Sequence, residues 1–291
     1  MPRFGGHSEP ILKLPADSFA ERSNCNNNKE NIMLYYGATD QGIRRSSNQD
    51  AFQIKIAGNL LIAAVCDGMG GANGGNVAST LGVETYTKKL SRYINSALSF
   101  VYLGDIPEFG APCEDFPDLR LCDFIEKSVD LANAEVFSAA EKDKSLQGMG
   151  TTLTSCIITP NGVVTANIGD SRIYYVNNGT IVKLTRDHSL VQNLLDEGKI
   201  TEKEALVHPN RNIILRALGV DEKVEADISS FPYTEGTLLL CSDGLSNYFD
   251  EDFFVQTLES KRSCKAKANL LIEYANSCGG ADNITAVVIK L

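Results

Sequence analysis

Three apolar runs in this sequence stop at an aspartate followed by a small residue: Val65-Cys66-Asp67-Gly68, Asn167-Ile168-Gly169-Asp170-Ser171 and Leu240-Cys241-Ser242-Asp243-Gly244. Two further aspartates flank strand-like segments, Asp50 just before Phe52 and Asp282 just before the apolar stretch Ile284 to Leu291. Carboxylates at strand ends can converge on one edge of a sheet. Gathered there, they repel one another unless a cation neutralises them. The donors are hard oxygens, so the expected occupant is a hard divalent ion, Mg²⁺ or Mn²⁺. One Asp-Gly pair alone is an ordinary turn. All five aspartates together, each inside a longer specific string, point to a metal centre.

The elements that must position these carboxylates follow from periodicity. Phe52, Ile54 and Ile56 alternate with Gln53 and Lys55, the pattern of a half-buried strand. Leu60 to Cys66, Thr237 to Cys241 and Ile284 to Leu291 are apolar runs of sheet-core type. Gly150 to Thr159 and Val163 to Val176 are rich in β-branched residues, and Pro160-Asn161-Gly162 between them reads as a hairpin turn. Leu121, Ile125, Val129, Ala132, Val136 and Ala140 lie three or four apart and predict an amphipathic helix. Val77, Leu81, Tyr86, Leu90 and Ile94 predict another, and Leu270, Leu271, Tyr274 and Cys278 a third. Residues 101–118, with three prolines and two glycines, read as a loop. Strand blocks separated by two long helices and closed by a third imply mixed α and β layers, with antiparallel pairing, rather than a βαβ repeat.

The strings themselves carry a resemblance. Thr39-Asp40-Gln41-Gly42, Asn48-Gln49-Asp50-Ala51, Asp67-Gly68-Met69-Gly70-Gly71, Gly150-Thr151-Thr152, Gly169-Asp170-Ser171-Arg172, Ser242-Asp243-Gly244 and Asp282-Asn283 occur in this order. Together they resemble the protein phosphatase 2C family of metal-dependent serine/threonine phosphatases, from about residue 35 to the C-terminus. Met69, Thr185-Arg186-Asp187-His188-Ser189 and His208-Pro209-Asn210-Arg211-Asn212 are similar to its bacterial branch. The resemblance implies an α+β fold, a central antiparallel β-sandwich flanked by helices in four α/β/β/α layers. It also implies a binuclear Mn²⁺/Mg²⁺ centre and a weaker third site. On that reading Asp67 bridges the two metals, with the Gly68 carbonyl as a further ligand. Asp243 and Asp282 complete one shell, Asp50 acts in or near the other, and Asp170 joins Asp243 at the third site. The family's phosphate-binding arginine falls four residues before Gln49, which selects Arg45 over Arg44.

The chemistry of such a centre agrees with that activity. Two neighbouring divalent cations make a bridging water acidic enough to be hydroxide near neutral pH, and they stabilise charge on the phosphoryl group it attacks. No phosphoenzyme is needed. A cysteine phosphatase would need Cys-x5-Arg, and none of the eight cysteines has an arginine six positions on. Two departures stand out. Gln49 replaces the glutamate of many members and supplies no charge, and Met69 stands where eukaryotic members often have a histidine, and cannot donate a proton to the leaving group. Of the histidines, His7 lies in the leader, and His188 and His208 are expected to have packing or loop roles. The glycines from Gly68 to Gly75 form no G-x-G-x-x-G and precede no Walker lysine, so they read as tight turns around an aspartate.

The chain has 291 residues and a formal net charge of −10. That acidity argues against a general nucleic-acid or anionic-membrane surface, and no apolar run is long enough to span a bilayer. Cys66, Cys156 and Cys241 sit inside apolar runs and no C-x-x-C occurs, so reduced, buried thiols in a cytoplasmic protein are expected. Residues 1–31 read as a flexible leader and 32–291 as a single domain, with 186–218 as a flap beside the site by family analogy, or equally a surface helical hairpin. The expected partners are phosphorylated proteins, in opposition to a Ser/Thr kinase, and the expected form is a monomer. Two other readings are a phosphatase-like sensing module without turnover and a metal-dependent hydrolase of small phosphate esters.

Overall fold

The stretch Leu60 to Cys66 is buried at every residue in the computed structural model, which describes residues 34–101, 119–160, 162–233 and 235–291. Leu61, Ala63 and Val65 point one way, into a cluster with Ile173, Leu238, Leu240, Val287 and Ile289. Ile62, Ala64 and Cys66 point the other way, against Tyr86, Leu90, Ile125 and Val129. The period of two thus serves two different cores, so a strand covered on both faces reads as a continuous apolar run.

In chain order the elements are β1 (Leu34–Asp40), β2 (Asp50–Ala57), β3 (Leu60–Met69), α1 (Gly71–Val101), α2 (Leu119–Lys142), β4 (Gly150–Thr151), β5 (Leu153–Thr159), β6 (Gly162–Ile168), β7 (Arg172–Asn177) and β8 (Thr180–Lys183). Then come α3 (Leu190–Asp196), α4 (Glu202–Leu206), β9 (Asp227–Phe231), β10 (Thr237–Cys241), α5 (Asp243–Ser246), α6 (Glu251–Glu259), α7 (Cys264–Ser277) and β11 (Ile284–Lys290). One sheet has the order β1-β11-β10-β7-β8 and the other β2-β3-β5-β6-β9, with β4 beside β3. Every pairing in both is antiparallel. Helices α1 and α2 cover the second sheet. Phe254, Leu258, Leu271 and Ala275 of α6 and α7 cover the first, against Leu239, Cys241, Ala286 and Val288. The four-layer α/β/β/α sandwich expected from the motifs is what the chain forms.

The hairpin between β5 and β6 closes on Thr159 opposite Gly162; Asn161 lies outside the described residues, as do residues 1–31 and 102–118, and with them the expected leader and most of the expected loop. Two expectations need correcting. Val163 to Val176 is not one strand: the chain leaves β6 after Ile168, turns at Gly169 (φ 101°), and enters the other sheet as β7. Asp67 does not end its strand either, because β3 continues through Gly68 to Met69, where β4 pairs with it. No helix among the described residues is long and apolar enough to cross a membrane.

Candidate metal centre

Asp50 opens β2 directly opposite Asp67 of β3. The backbone of Asp67 is held by two threonines: its N–H donates to Thr152 Oγ1 (2.8 Å), and its carbonyl accepts from Thr151 Oγ1 and from the Thr152 N–H (both 2.9 Å). This is the local reason for the Gly150-Thr151-Thr152 string. Gly68 follows, its N–H donating to the Gln49 carbonyl (3.1 Å). A Cβ at Gly68 would collide with the Gly75 carbonyl oxygen in the first turns of α1. Gly68→Ala is therefore expected to cost about 3 kcal/mol of stability and to remove activity; urea unfolding of the two proteins measures the first effect.

The other sheet supplies the groups that fix Asp50. Its Oδ2 accepts from Ser242 Oγ (2.7 Å) and Thr285 Oγ1 (2.6 Å), one hydroxyl just after β10 and one in β11. Asp243 begins α5, with Oδ2 accepting from Asn247 Nδ2 (3.1 Å). Asp282 precedes β11; its Oδ1 accepts from the Asn283 N–H (2.8 Å) and its Oδ2 from Arg45 Nη2 (2.6 Å). Asn283 also fixes the loop that carries Arg45. Its Oδ1 accepts from the Gln49 N–H, and its Nδ2 donates to the carbonyls of Gln41 and Ser47. Asp170 stands after Gly169, whose N–H donates to His188 Nδ1 (3.2 Å) and whose carbonyl accepts from the His188 N–H (2.8 Å).

His188 is buried, with Nε2 3.0 Å from Asp227 Oδ2, so it holds the Asp170 loop in place, in line with the expected packing role. His208 caps its own loop, its Nδ1 accepting from the Asn210 N–H. Gln49 points its amide to the Gly71 carbonyl (2.8 Å). The small polar residues Thr152, Ser242, Thr285 and Asn283 were given no role from sequence. Three of them lie inside the motif strings, which was the available signal.

Burial raises the pKa of four of these carboxyls, and their neighbours raise it further. Burial pushes Asp50 up to about 7, aided by Asp243 and Asp282 and opposed by the hydrogen bonds from Thr285 and Ser242. Asp170 rises to about 8 through burial and the charges of Asp243 and Asp187, against the pull of Arg172. Asp67 lies well above the usual range, by burial and then by repulsion from Asp50, Asp243, Asp170 and Asp282. Asp243 is raised by burial and by Asp282. Burial works against the charge of Arg45, but its bond to Asp282 overrides this and leaves the guanidinium more basic than usual. The five aspartates thus form one mutually repelling group.

These residues fit a divalent cation. Six buried side-chain N or O atoms among the described residues have no hydrogen-bond partner, and three of them are Asp50 Oδ1, Asp170 Oδ1 and Asp243 Oδ1. A buried carboxylate oxygen without a donor is costly, and a cation ligated by several of them removes that cost. As the side chains stand, no three His, Cys, Asp or Glu among the described residues close on a single point. Asp282 is turned to Arg45, whose guanidinium serves as its counter-charge. Arg45, Asp170, Asp243 and Asp282 line a groove of about 1340 Å³, which is lined also by residues between Asp187 and Asn212.

A four-layer sandwich with buried aspartates and an arginine along such a groove is an arrangement that suits a metal-dependent hydrolase, and comparison with known proteins gives its family. Residues 41–271 match the model of the protein phosphatase 2C family, and the chain belongs to that family. Serine/threonine phosphatase stp of Listeria welshimeri is 40% identical over 256 residues, which span 87% of this chain and 93% of that protein. The structure of serine/threonine phosphatase Stp1 from Staphylococcus aureus is similar with a TM-score of 0.75 and 28% identity, covering 92% of this chain and 99% of that one. The catalytic domain of PstP in complex with two manganese ions gives a TM-score of 0.71 at 31% identity, covering 89% and 97%.

Proposed function

We propose that this chain hydrolyses phosphoserine and phosphothreonine in proteins, using two Mn²⁺ or Mg²⁺ ions and a third, weaker one. The observation that carries the reading is the set of donor-less carboxylate oxygens on Asp50, Asp170 and Asp243, gathered with Asp67 and Asp282 beside a groove that also holds Arg45. Asp67 would serve both ions, with the Gly68 carbonyl as a further ligand. Asp243 and Asp282 would hold one ion, Asp50 the other, and Asp170 with Asp243 the third. When bound, the ions supply the Lewis acidity that activates a water and neutralises charge on the phosphoryl oxygens.

The chain's own residues do the rest. Arg45 is half exposed on the groove, and its planar fork matches two phosphate oxygens. Thr151, Thr152, Ser242, Thr285 and Asn283 hold the carboxylates and the arginine loop rigid, so little reorganisation accompanies the reaction. The three cysteines buried in the sheets are no nucleophiles: burial pushes Cys156 and Cys241 up to about 12 and Cys66 higher still, so none of these three thiols is a thiolate. Met69 donates no proton, so the serine or threonine leaving group takes its proton from water or from another group. Residues 186–218, which carry α3 and α4, act as a flap over the groove. In a bacterial cytoplasm the enzyme would oppose a Ser/Thr kinase.

A rate comparison on a phosphothreonine peptide and on ATP, both with Mn²⁺, tests the substrate class. Faster turnover of the peptide is expected; a clear preference for ATP would move the reading to small phosphate esters.

A further inference from the structure

The groove is far larger than a phosphorylated side chain requires. Pockets that enclose a whole drug-sized ligand run roughly 300–1,000 Å³, and this one is about 1340 Å³. The carboxylates and Arg45 account for one end of it, and its apolar lining has no place in the chemistry.

Leu206 and Val207, at the end of α4, are 72% and 77% exposed, the two most exposed large apolar side chains among the described residues, and both line the groove. Neither α3 nor α4 buries any residue fully, so this wall is not anchored by a core of its own. Another part of the lining is packed against buried aromatic rings. Phe249 stacks on Tyr174 (5.2 Å between centroids) and meets the buried Phe254 edge-on (5.0 Å), yet remains 40% exposed. Beside it, Tyr248 Oη accepts from the Ala281 N–H (3.2 Å), which ties the aromatic wall to the residue before Asp282. Tyr248 and Phe249 also line the groove. The residues that flank a phosphorylated side chain at Arg45 and the carboxylates have these apolar side chains within the same groove.

We infer that Leu206 and Val207, together with Tyr248 and Phe249 of the same groove, provide an apolar lining that seats a large aliphatic or aromatic side chain flanking the phosphorylated residue of the substrate protein. The inference rests on the phosphoprotein reading above and adds a selectivity to it. Seating such a side chain removes apolar surface on both partners from water, which is worth about ten-fold in affinity.

The test uses the full chain loaded with Mn²⁺ and phosphothreonine peptides of otherwise serine-rich sequence, in which one leucine is moved position by position through the residues flanking the phosphothreonine. Leucine at one or two positions is expected to raise kcat/KM about ten-fold over serine, mainly through KM. In the double variant Leu206→Ser/Val207→Ser that ratio is expected to fall to near one. Fluorescence anisotropy of the same peptides, which needs no turnover, should show the same preference and the same loss. Absence of a leucine preference at every position, or a preference that survives the double variant, overturns the subsite. So does a preference for lysine or arginine instead, or a dimer in sedimentation that the double variant dissolves while peptides show no preference. Should no peptide be hydrolysed at all, the phosphatase reading fails, while anisotropy still decides the subsite.

Discussion

Asp67→Asn is expected to lower turnover of a phosphorylated substrate by about 10³-fold or more while leaving the fold intact. Asparagine keeps the shape and the backbone bonds to Thr151 and Thr152, which involve only main-chain atoms of residue 67. It removes the one carboxylate proposed to serve both ions. The same variant carries a second, opposite signature. In the metal-stripped protein burial and the neighbouring Asp50, Asp243, Asp170 and Asp282 all disfavour an ionised Asp67, so replacing it with a neutral amide should raise the thermal midpoint at pH 8 by roughly 2 °C or more. Lost activity with gained apo stability separates a functional carboxylate from a structural one. Wild-type-like turnover in this variant would refute the assignment.

The stripped wild-type protein should become less stable as pH rises from 5 to 8. In the unfolded chain Asp50 and Asp170 release their protons near pH 4, whereas in the folded chain they do so near 7 and 8. Below pH 4 both states are protonated and the site costs nothing. Between the two values the folded state holds protons that the unfolded state lacks, so stability falls as pH rises through this range. The surface carboxyls held low by hydrogen bonds, Asp143, Asp196 and Glu204, titrate below this window and do not mask the effect. The total loss is on the order of several kcal/mol, or roughly 5 °C or more in the midpoint. Saturating Mn²⁺ should abolish the decline, because the cation replaces the protons. Thermal unfolding across pH, with EDTA and with Mn²⁺, measures it; a flat or rising profile for the stripped protein would contradict it.

Much of the fold was legible because both faces of the central strands are covered. A fully buried strand such as β3 has to be apolar throughout, and a helix packed on one side, as α2 is, keeps its three-four spacing. The sheet change at Gly169 was hidden because β-branched residues continue on both sides of it, and only a positive φ marks the turn. Helices α3 and α4, of seven and five residues, are too short to show a period. Strands β8 and β9 hold no fully buried residue, so no apolar pattern exposes them.

The site divides in the same way. Each aspartate announces itself by interrupting or flanking an apolar run. The residues that hold them do not, because threonine, serine and asparagine are common everywhere and their partners are remote. Thr152 reaches Asp67 across 85 positions, and Thr285 reaches Asp50 across 235. The pairing of Arg45 with Asp282, 237 positions away, is equally invisible to local pattern. The net charge of −10 argues against a nucleic-acid surface. Five of the chain's acidic residues are the aspartates proposed to hold the cations, so the acidity is in part accounted for by that site.

Phosphate release from a phosphothreonine peptide, followed as the stripped protein is titrated with Mn²⁺, tests the central claim most directly. The account predicts no release without metal, activity that rises to a plateau with Mn²⁺, and its abolition by EDTA. Undiminished hydrolysis by the stripped protein, or none at saturating Mn²⁺, would contradict it.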